Sequence, residues 1–156
     1  MKYRLYLETT IPSYLAAKLS RDLIIAGHQQ ITREWWDKRR GNFQIYISQF
    51  VLDEAGAGDP VASRERLALL QHLPLLDITP EVTLLASGIL KAGAIPCKAA
   101  TDAAHIAVAA VHGMDFLVTW NCVHIANAMT AKRLASICRE HGCECPVICT
   151  PEEFGE

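Results

Sequence analysis

The sequence predicts an α/β fold, a three-layer α/β/α domain with a central parallel sheet of about five strands. Three observations carry this. Short apolar, strand-like runs recur at residues 3–7, 43–47, 74–78, 115–119 and 146–149. Stretches with helical spacing fill the gaps, over residues 12–39, 48–72, 80–113 and 122–141. Strands that alternate with helices build a parallel sheet covered on both faces. The chain has 156 residues, 51% of them hydrophobic, with no low-complexity tract, linker or repeat, which fits one domain with a substantial core.

The elements follow in order. In "KYRLYLETTIPSYL" the apolar run Tyr3–Leu7 ends on Glu8, Thr9 and Thr10, and Pro12 suits the first turn of a helix. Residues 23–36 place Leu23, Ala26, Ile31 and Trp35 on one helical face. "GAGDP" reads as a helix stop followed by a new start at Pro60; it lacks the third glycine of a dinucleotide fingerprint and follows a helix, not a strand. "PEVTLLASGILKAG" begins after Thr79 as a cap, with Pro80 in the first turn, and closes on Gly93. "TDAAHIAVAAVHG" takes Thr101 as its cap and ends at Gly113; its middle is apolar all round, as in a helix buried on most sides. Residues 151–156 are expected as a short tail of the single domain 1–156.

Composition removes several classes. No apolar run reaches the ~18 residues of a membrane span, and the N-terminus lacks the pattern of a secretory signal, so a cytoplasmic location without a membrane partner is expected. The balance of 15 basic and 17 acidic residues, net charge −2, neither demands nor forbids a nucleic-acid partner. The six cysteines, Cys97, Cys122, Cys138, Cys143, Cys145 and Cys149, form no paired CxxC knuckles and fit no strong zinc spacing, so free thiols are expected.

In a parallel α/β sheet, ligands bind beyond the carboxyl ends of the strands. Glu8 falls at the end of the first strand and Asn121 just past the fourth. Glu54, with Asp53 beside it as a rival, is on the helix after the second strand, and Asp102 is in the first turn of the helix before the fourth. Glu8, Glu54 and Asp102 in one small volume would repel without a cation. Mg²⁺ or Mn²⁺ resolves the repulsion, because hard cations take carboxylate oxygens. Each acid also has a structural reading: Asp102 favouring a helix N-terminus by about 0.3–1 kcal/mol, Glu54 solvated on its helix, Glu8 accepting from backbone N–H groups of the next helix.

The segment "ATDAAHIAVAAVHGMDFLVTWN" resembles the third and fourth acidic motifs of PIN-domain ribonucleases, "YLETTIPSYL" the first and "ISQFVLDEAGAGDP" the second, over residues 3–150. That family includes VapC-like toxins of type II toxin–antitoxin pairs, which cleave RNA with Mg²⁺ or Mn²⁺. The resemblance implies a metal-dependent endoribonuclease with Glu8, Glu54, Asp102 and Asn121 as the catalytic and metal-binding quartet. The family's first acid is usually Asp, one methylene shorter than Glu8, and its fourth is often Asp where Asn121 is neutral. With three formal charges, one ion is expected to bind tightly and a second to arrive with substrate phosphate. The implied reaction is in-line attack of water on a phosphodiester with departure of the 3′-oxygen. Glu8 and Asp102 are then direct ligands, Glu54 a ligand or proton acceptor, and Asn121 a ligand or an orienter of water. Thr9, Ser48 and Thr119 hold ligands or contact phosphate through their hydroxyls. Partners implied are RNA, an antitoxin that blocks the acidic cleft, and a second copy in a homodimer.

Other residues invite a role. "ITREWWDKRRGNFQ" joins Trp35 and Trp36 to Arg33, Lys38, Arg39 and Arg40, a basic and aromatic combination suited to single-stranded RNA or to an antitoxin, against the alternative of core tryptophans on an amphipathic helix. His105, three residues after Asp102, reads foremost as a hydrogen-bonded core histidine; His124, as close to Asn121, reads equally as ligand, general acid or structural residue. Two alternatives to a ribonuclease are a catalytically weakened RNA- or protein-binding module and an α/β phosphatase. The phosphatase needs an Asp nucleophile where Glu8 stands.

Overall fold

A computed structural model describes residues 1–155. Its elements are β1 (Tyr3–Leu7), α1 (Thr10–Ala16), α2 (Leu23–Arg39), β2 (Phe43–Ser48), α3 (Gln49–Ala55), α4 (Pro60–Leu70), β3 (Leu75–Leu76), α5 (Pro80–Lys91), α6 (Ala100–Val111), β4 (Phe116–Val118), α7 (Ala131–Glu140) and β5 (Val147–Cys149). The five strands form one sheet in the order β3-β2-β1-β4-β5, parallel throughout. The expected three-layer α/β/α architecture is the observed one. β1 lies at the centre, and Leu5, Tyr6 and Leu7 are fully buried. That is why β1 reads as a continuous apolar run and not as an alternating one.

The strand order makes β1 and β4 neighbours although more than a hundred residues separate them, with Leu5 opposite Phe116 and Leu7 opposite Val118. From that pair the chain winds outward in both directions, through β2 and β3 on one side and β5 on the other. The crevice at the carboxyl ends of β1 and β4 is the switch point where such sheets hold ligands. Glu8 and Thr119 are the first residues beyond the two strands.

Several expected helices are shorter or divided. The stretch 12–39 is two helices, because residues 17–22 are held in a loop by buried Gln29, whose Oε1 accepts from the Ser20 N–H (2.8 Å) and whose Nε2 donates to the Lys18 carbonyl (3.1 Å). Asp22 then caps α2, its Oδ1 accepting from Ile24 N–H and Ile25 N–H at 2.9 and 3.1 Å. The stretch 122–141 turns helical only at Ala131. Before it, Asn121 Oδ1 accepts from His124 N–H (3.0 Å) and Asn127 Oδ1 from Met129 N–H (2.9 Å), local bonds that compete with a helical ladder. Thr101 is not a cap: a 3₁₀ turn over Cys97–Ala99 runs directly into α6, which leaves Thr101 inside the first turn. α5 and α6 end on Gly93 and Gly113, with φ of 73° and 66°, in the left-handed region where a side chain would be strained.

α6 is buried from Ala103 through Ala110. Its small side chains let α5 and the sheet approach closely. At the opposite pole of the molecule from the carboxyl ends, Trp35, Phe43 and Phe116 gather around Phe154, with ring centroids 5.0–5.9 Å from its ring. The expected tail is therefore a docked 3₁₀ turn, Pro151–Phe154, started by a capping box between Thr150 and Glu153. Trp35 and Trp36 are both buried, so they belong to the core. The six cysteines are free thiols. Among the described residues no helix is long and apolar enough to cross a membrane.

Candidate metal centre

Glu8 leaves β1 pointing to the switch point and is only 3% exposed. Its Oε1 accepts from Thr10 Oγ1 (2.5 Å), Thr119 Oγ1 (2.6 Å) and Thr10 N–H (3.1 Å). Three donors on one oxygen fix the carboxylate plane. Thr10 Oγ1 in turn accepts from the Trp120 N–H (2.8 Å), and Thr119 Oγ1 from the Asn121 N–H (2.9 Å), so the ends of β1 and β4 are laced together around Glu8.

Glu54 arrives from the last turn of α3. Its Oε1 accepts from Thr9 Oγ1 (2.6 Å) and from His105 Nε2 (2.5 Å). Burial opposes ionisation of Glu54, but the hydrogen bonds from His105 and the Thr9 hydroxyl outweigh it and hold the carboxyl below its ordinary value. Fully buried His105 continues inward, its Nδ1 2.7 Å from the Tyr6 hydroxyl, which lies 2.8 Å from Ser48 Oγ. Burial, reinforced by the charges of Glu8 and Glu54, pushes the Tyr6 phenol well above its usual range, so it stays protonated.

Asp102 stands in the first turn of α6, its Oδ2 2.9 Å from His124 Nδ1. Glu54, Lys98, Ala99, Thr101, Asp102 and His124 line one open cavity of about 390 Å³. A larger cavity of about 470 Å³ lies between the 122–135 segment and β5, but the one charged side chain in its wall is Glu153.

Of the four expected residues, Glu8 and Glu54 come together, and Asp102 borders the open cavity that Glu54 lines. Glu8 and Glu54, with His105, offer ligand atoms all within 4.8 Å of one another. Glu54, not Asp53, is the acid that turns inward; Asp53 accepts from Gln49 on the exposed side of α3. Each carboxylate ties one oxygen to the protein, and among the described residues Glu8 Oε2, Glu54 Oε2 and Asp102 Oδ1 make no hydrogen bond. Neighbouring anchored carboxylates, each with an oxygen left over, are the kind of donor a hard divalent cation takes.

Thr9 and Thr119 hold Glu54 and Glu8, one of the two roles expected of them, while the other expectations are corrected. Asn121 spends its Oδ1 on the turn to His124. Ser48 and Thr119 are fully buried, so neither hydroxyl reaches a phosphate; Thr119 holds Glu8, and Ser48 holds Tyr6. Thr9, 8% exposed, spends its hydroxyl on Glu54. Arg39 and Arg40 are at the wrong pole. They immediately precede β2, whose first residue Phe43 pairs with Tyr3 at the start of β1, roughly 15–20 Å of strand from the carboxylates. Arg39 donates to the Gly155 carbonyl (2.9 Å), and Arg40 stacks over Trp36 at 4.6 Å.

The structure adds Tyr6, Thr10, Lys98 and the inward role of His105. A signal existed for two of them: Tyr6 shares a strand face with Glu8 at the i, i+2 spacing, and His105 follows Asp102 by three. Lys98 lies in a 3₁₀ turn and carried no periodic signal.

No family model and no curated protein matches the sequence. Among solved structures, a chain in the crystal structure of VapBC2 from Rickettsia felis bound to a DNA fragment from their promoter has the same fold. The TM-score is 0.60 at 17% sequence identity, covering 94% of this chain and 97% of that one. The likeness establishes a VapC-like, PIN-like fold over nearly the whole chain, and fold alone.

Proposed function

We propose that the protein is a divalent-metal-dependent endoribonuclease, acting as the toxin of a toxin–antitoxin pair. The observation that carries this is the set of anchored carboxylates with free oxygens, Glu8, Glu54 and Asp102, at the switch point of a VapC-like fold. Glu8, Glu54 and Asp102 hold Mg²⁺ or Mn²⁺. Bound there, the cation acidifies water and offsets charge on the phosphodiester. Asn121, through its amide N–H groups, orients water or a phosphate oxygen at the cavity mouth. Glu54, ionised below the usual carboxyl range with Oε1 occupied by His105 and Thr9, serves as a ligand, and the proton of the attacking water passes to solvent.

Lys98 and His124, on the wall of the same cavity, contact the phosphate that is cut; His124, oriented by Asp102, is the nearest group to protonate the departing 3′-oxygen. Hydrolysis adds water across the P–O3′ bond, leaving a 5′-phosphate and a 3′-hydroxyl. The antitoxin blocks the acidic cleft with a basic side chain, and the active form is a homodimer in the cytoplasm. The complex named for the similar structure, VapBC2, motivates the partner.

The test is incubation with tRNA, rRNA fragments and single-stranded RNA, each with Mn²⁺, Mg²⁺ or chelator, followed by analysis of the product ends. Metal-dependent cuts with 5′-phosphate ends support the reading. Saturable Mn²⁺ binding without any cleavage favours the catalytically weakened binding module instead, and turnover of a phosphomonoester with no RNA cut favours the phosphatase.

A further inference from the structure

The chain Ser48–Tyr6–His105–Glu54 runs from the interior of the sheet to the candidate metal centre and joins β2, β1, α6 and α3. Its polarity follows from elementary chemistry. An ionised carboxylate only accepts, so the 2.5 Å contact with Glu54 Oε1 makes His105 Nε2 the protonated nitrogen. In the neutral ring Nδ1 then accepts from the Tyr6 hydroxyl, and the Tyr6 oxygen accepts from Ser48 Oγ–H. In this arrangement Nε2 has no lone pair to offer a cation. Glu54 stands at the end of a seven-residue helix with its side chain 37% exposed, and besides His105 only the Thr9 hydroxyl holds its carboxylate.

We propose that His105 is a positioning residue of the metal centre: by holding Glu54 Oε1 it presents Oε2 to the cation, and Tyr6 and Ser48 set cation affinity from inside the core. This rests on the reading of Glu8, Glu54 and Asp102 as a divalent-cation site. His105, Tyr6 and Ser48 are each fully buried, which closes them to substrate, and the protonated Nε2 keeps His105 from ligating. Partners that orient a ligating carboxylate in this way typically change metal affinity by about 10–100-fold when removed.

The experiment titrates Mn²⁺ into the full-length protein, reading free Mn²⁺ by electron paramagnetic resonance, for wild type, His105→Leu, His105→Gln and Tyr6→Phe. Thermal unfolding in chelator confirms that each variant is folded. His105→Leu weakens binding by about 10–100-fold. His105→Gln, whose amide N–H reaches the same oxygen, restores most of it, and Tyr6→Phe, which keeps the ring but loosens its orientation, falls between. Pulsed spectra of the wild-type complex contain no directly bonded nitrogen. Unchanged affinity in His105→Leu overturns the proposal. So does a bonded-nitrogen signal in wild type that His105→Leu abolishes, which would make His105 a ligand. Failure of wild type to bind Mn²⁺ overturns both this inference and the metal-site reading. Mn²⁺ binding with the stated variant order but no RNA cleavage overturns the ribonuclease reading alone.

Discussion

Glu8 and Glu54 do not simply sit near one another; a separate set of donors holds each. Thr119 links the ends of β1 and β4 by donating to Glu8 and accepting from the Asn121 N–H. Thr119→Val keeps the shape but removes both bonds, and we expect metal-dependent cleavage to fall by about 10–100-fold in single-turnover assays while the fold persists. Glu54 carries a pH dependence whose sign is fixed. Its folded-state carboxyl titrates below the ordinary value of 4.5, so its stabilisation is full above that value and is lost as pH falls through the lower, folded-state one. In chelator, Glu54→Gln should therefore flatten the acid limb of stability below about pH 4.5, measured by denaturant unfolding. At this scale the sequence disclosed the acids, because a carboxylate at a strand end interrupts an apolar pattern. It pointed to two of their anchors, Thr9 and Thr119, but hid Thr10 and Tyr6, which look like ordinary hydroxyls until β1, β4 and α6 come together.

At the scale of elements, periodicity disclosed where strands and helices alternate but not where helices break. The break between α1 and α2 depends on Gln29, which lies a turn and a half inside the next helix and reaches back to residues 18 and 20. No local pattern marks such a bond. Asp22→Ala removes the cap that restarts the chain and should cost about 0.5–2 kcal/mol in chemical unfolding, with cleavage unchanged in the folded fraction. The delayed start of α7 has the same origin: Asn121 and Asn127 bond their own neighbours, and the first of these turns carries His124 to the candidate site instead of starting a helix. α6 was the most legible element. A helix apolar on every side has to be buried, and Asp102 at its start could then face only the open end of the sheet.

For the whole molecule, the parallel sheet separates two poles. The carboxyl ends hold the acids with Lys98 and His124, and the amino ends hold the aromatic cluster of Trp35, Phe43, Phe116 and Phe154 beside Arg39 and Arg40. The basic run was conspicuous in the sequence, but its place was not, since polarity along a strand emerges only with the strand pairing. Lys98→Ala should raise KM for RNA several-fold and lower the salt dependence of binding, whereas Arg39→Ala with Arg40→Ala should leave KM within about twofold, both read by cleavage kinetics at two salt concentrations. If the carboxylates at the switch point do the chemistry, cleavage depends on Asp102. The most direct measurement compares wild type with Asp102→Asn on the same RNA panel with Mn²⁺, Mg²⁺ and chelator. The expected result is cleavage by wild type that needs the metal and disappears with Asp102→Asn, while the variant keeps its fold. Equal cleavage by the two proteins would contradict the account.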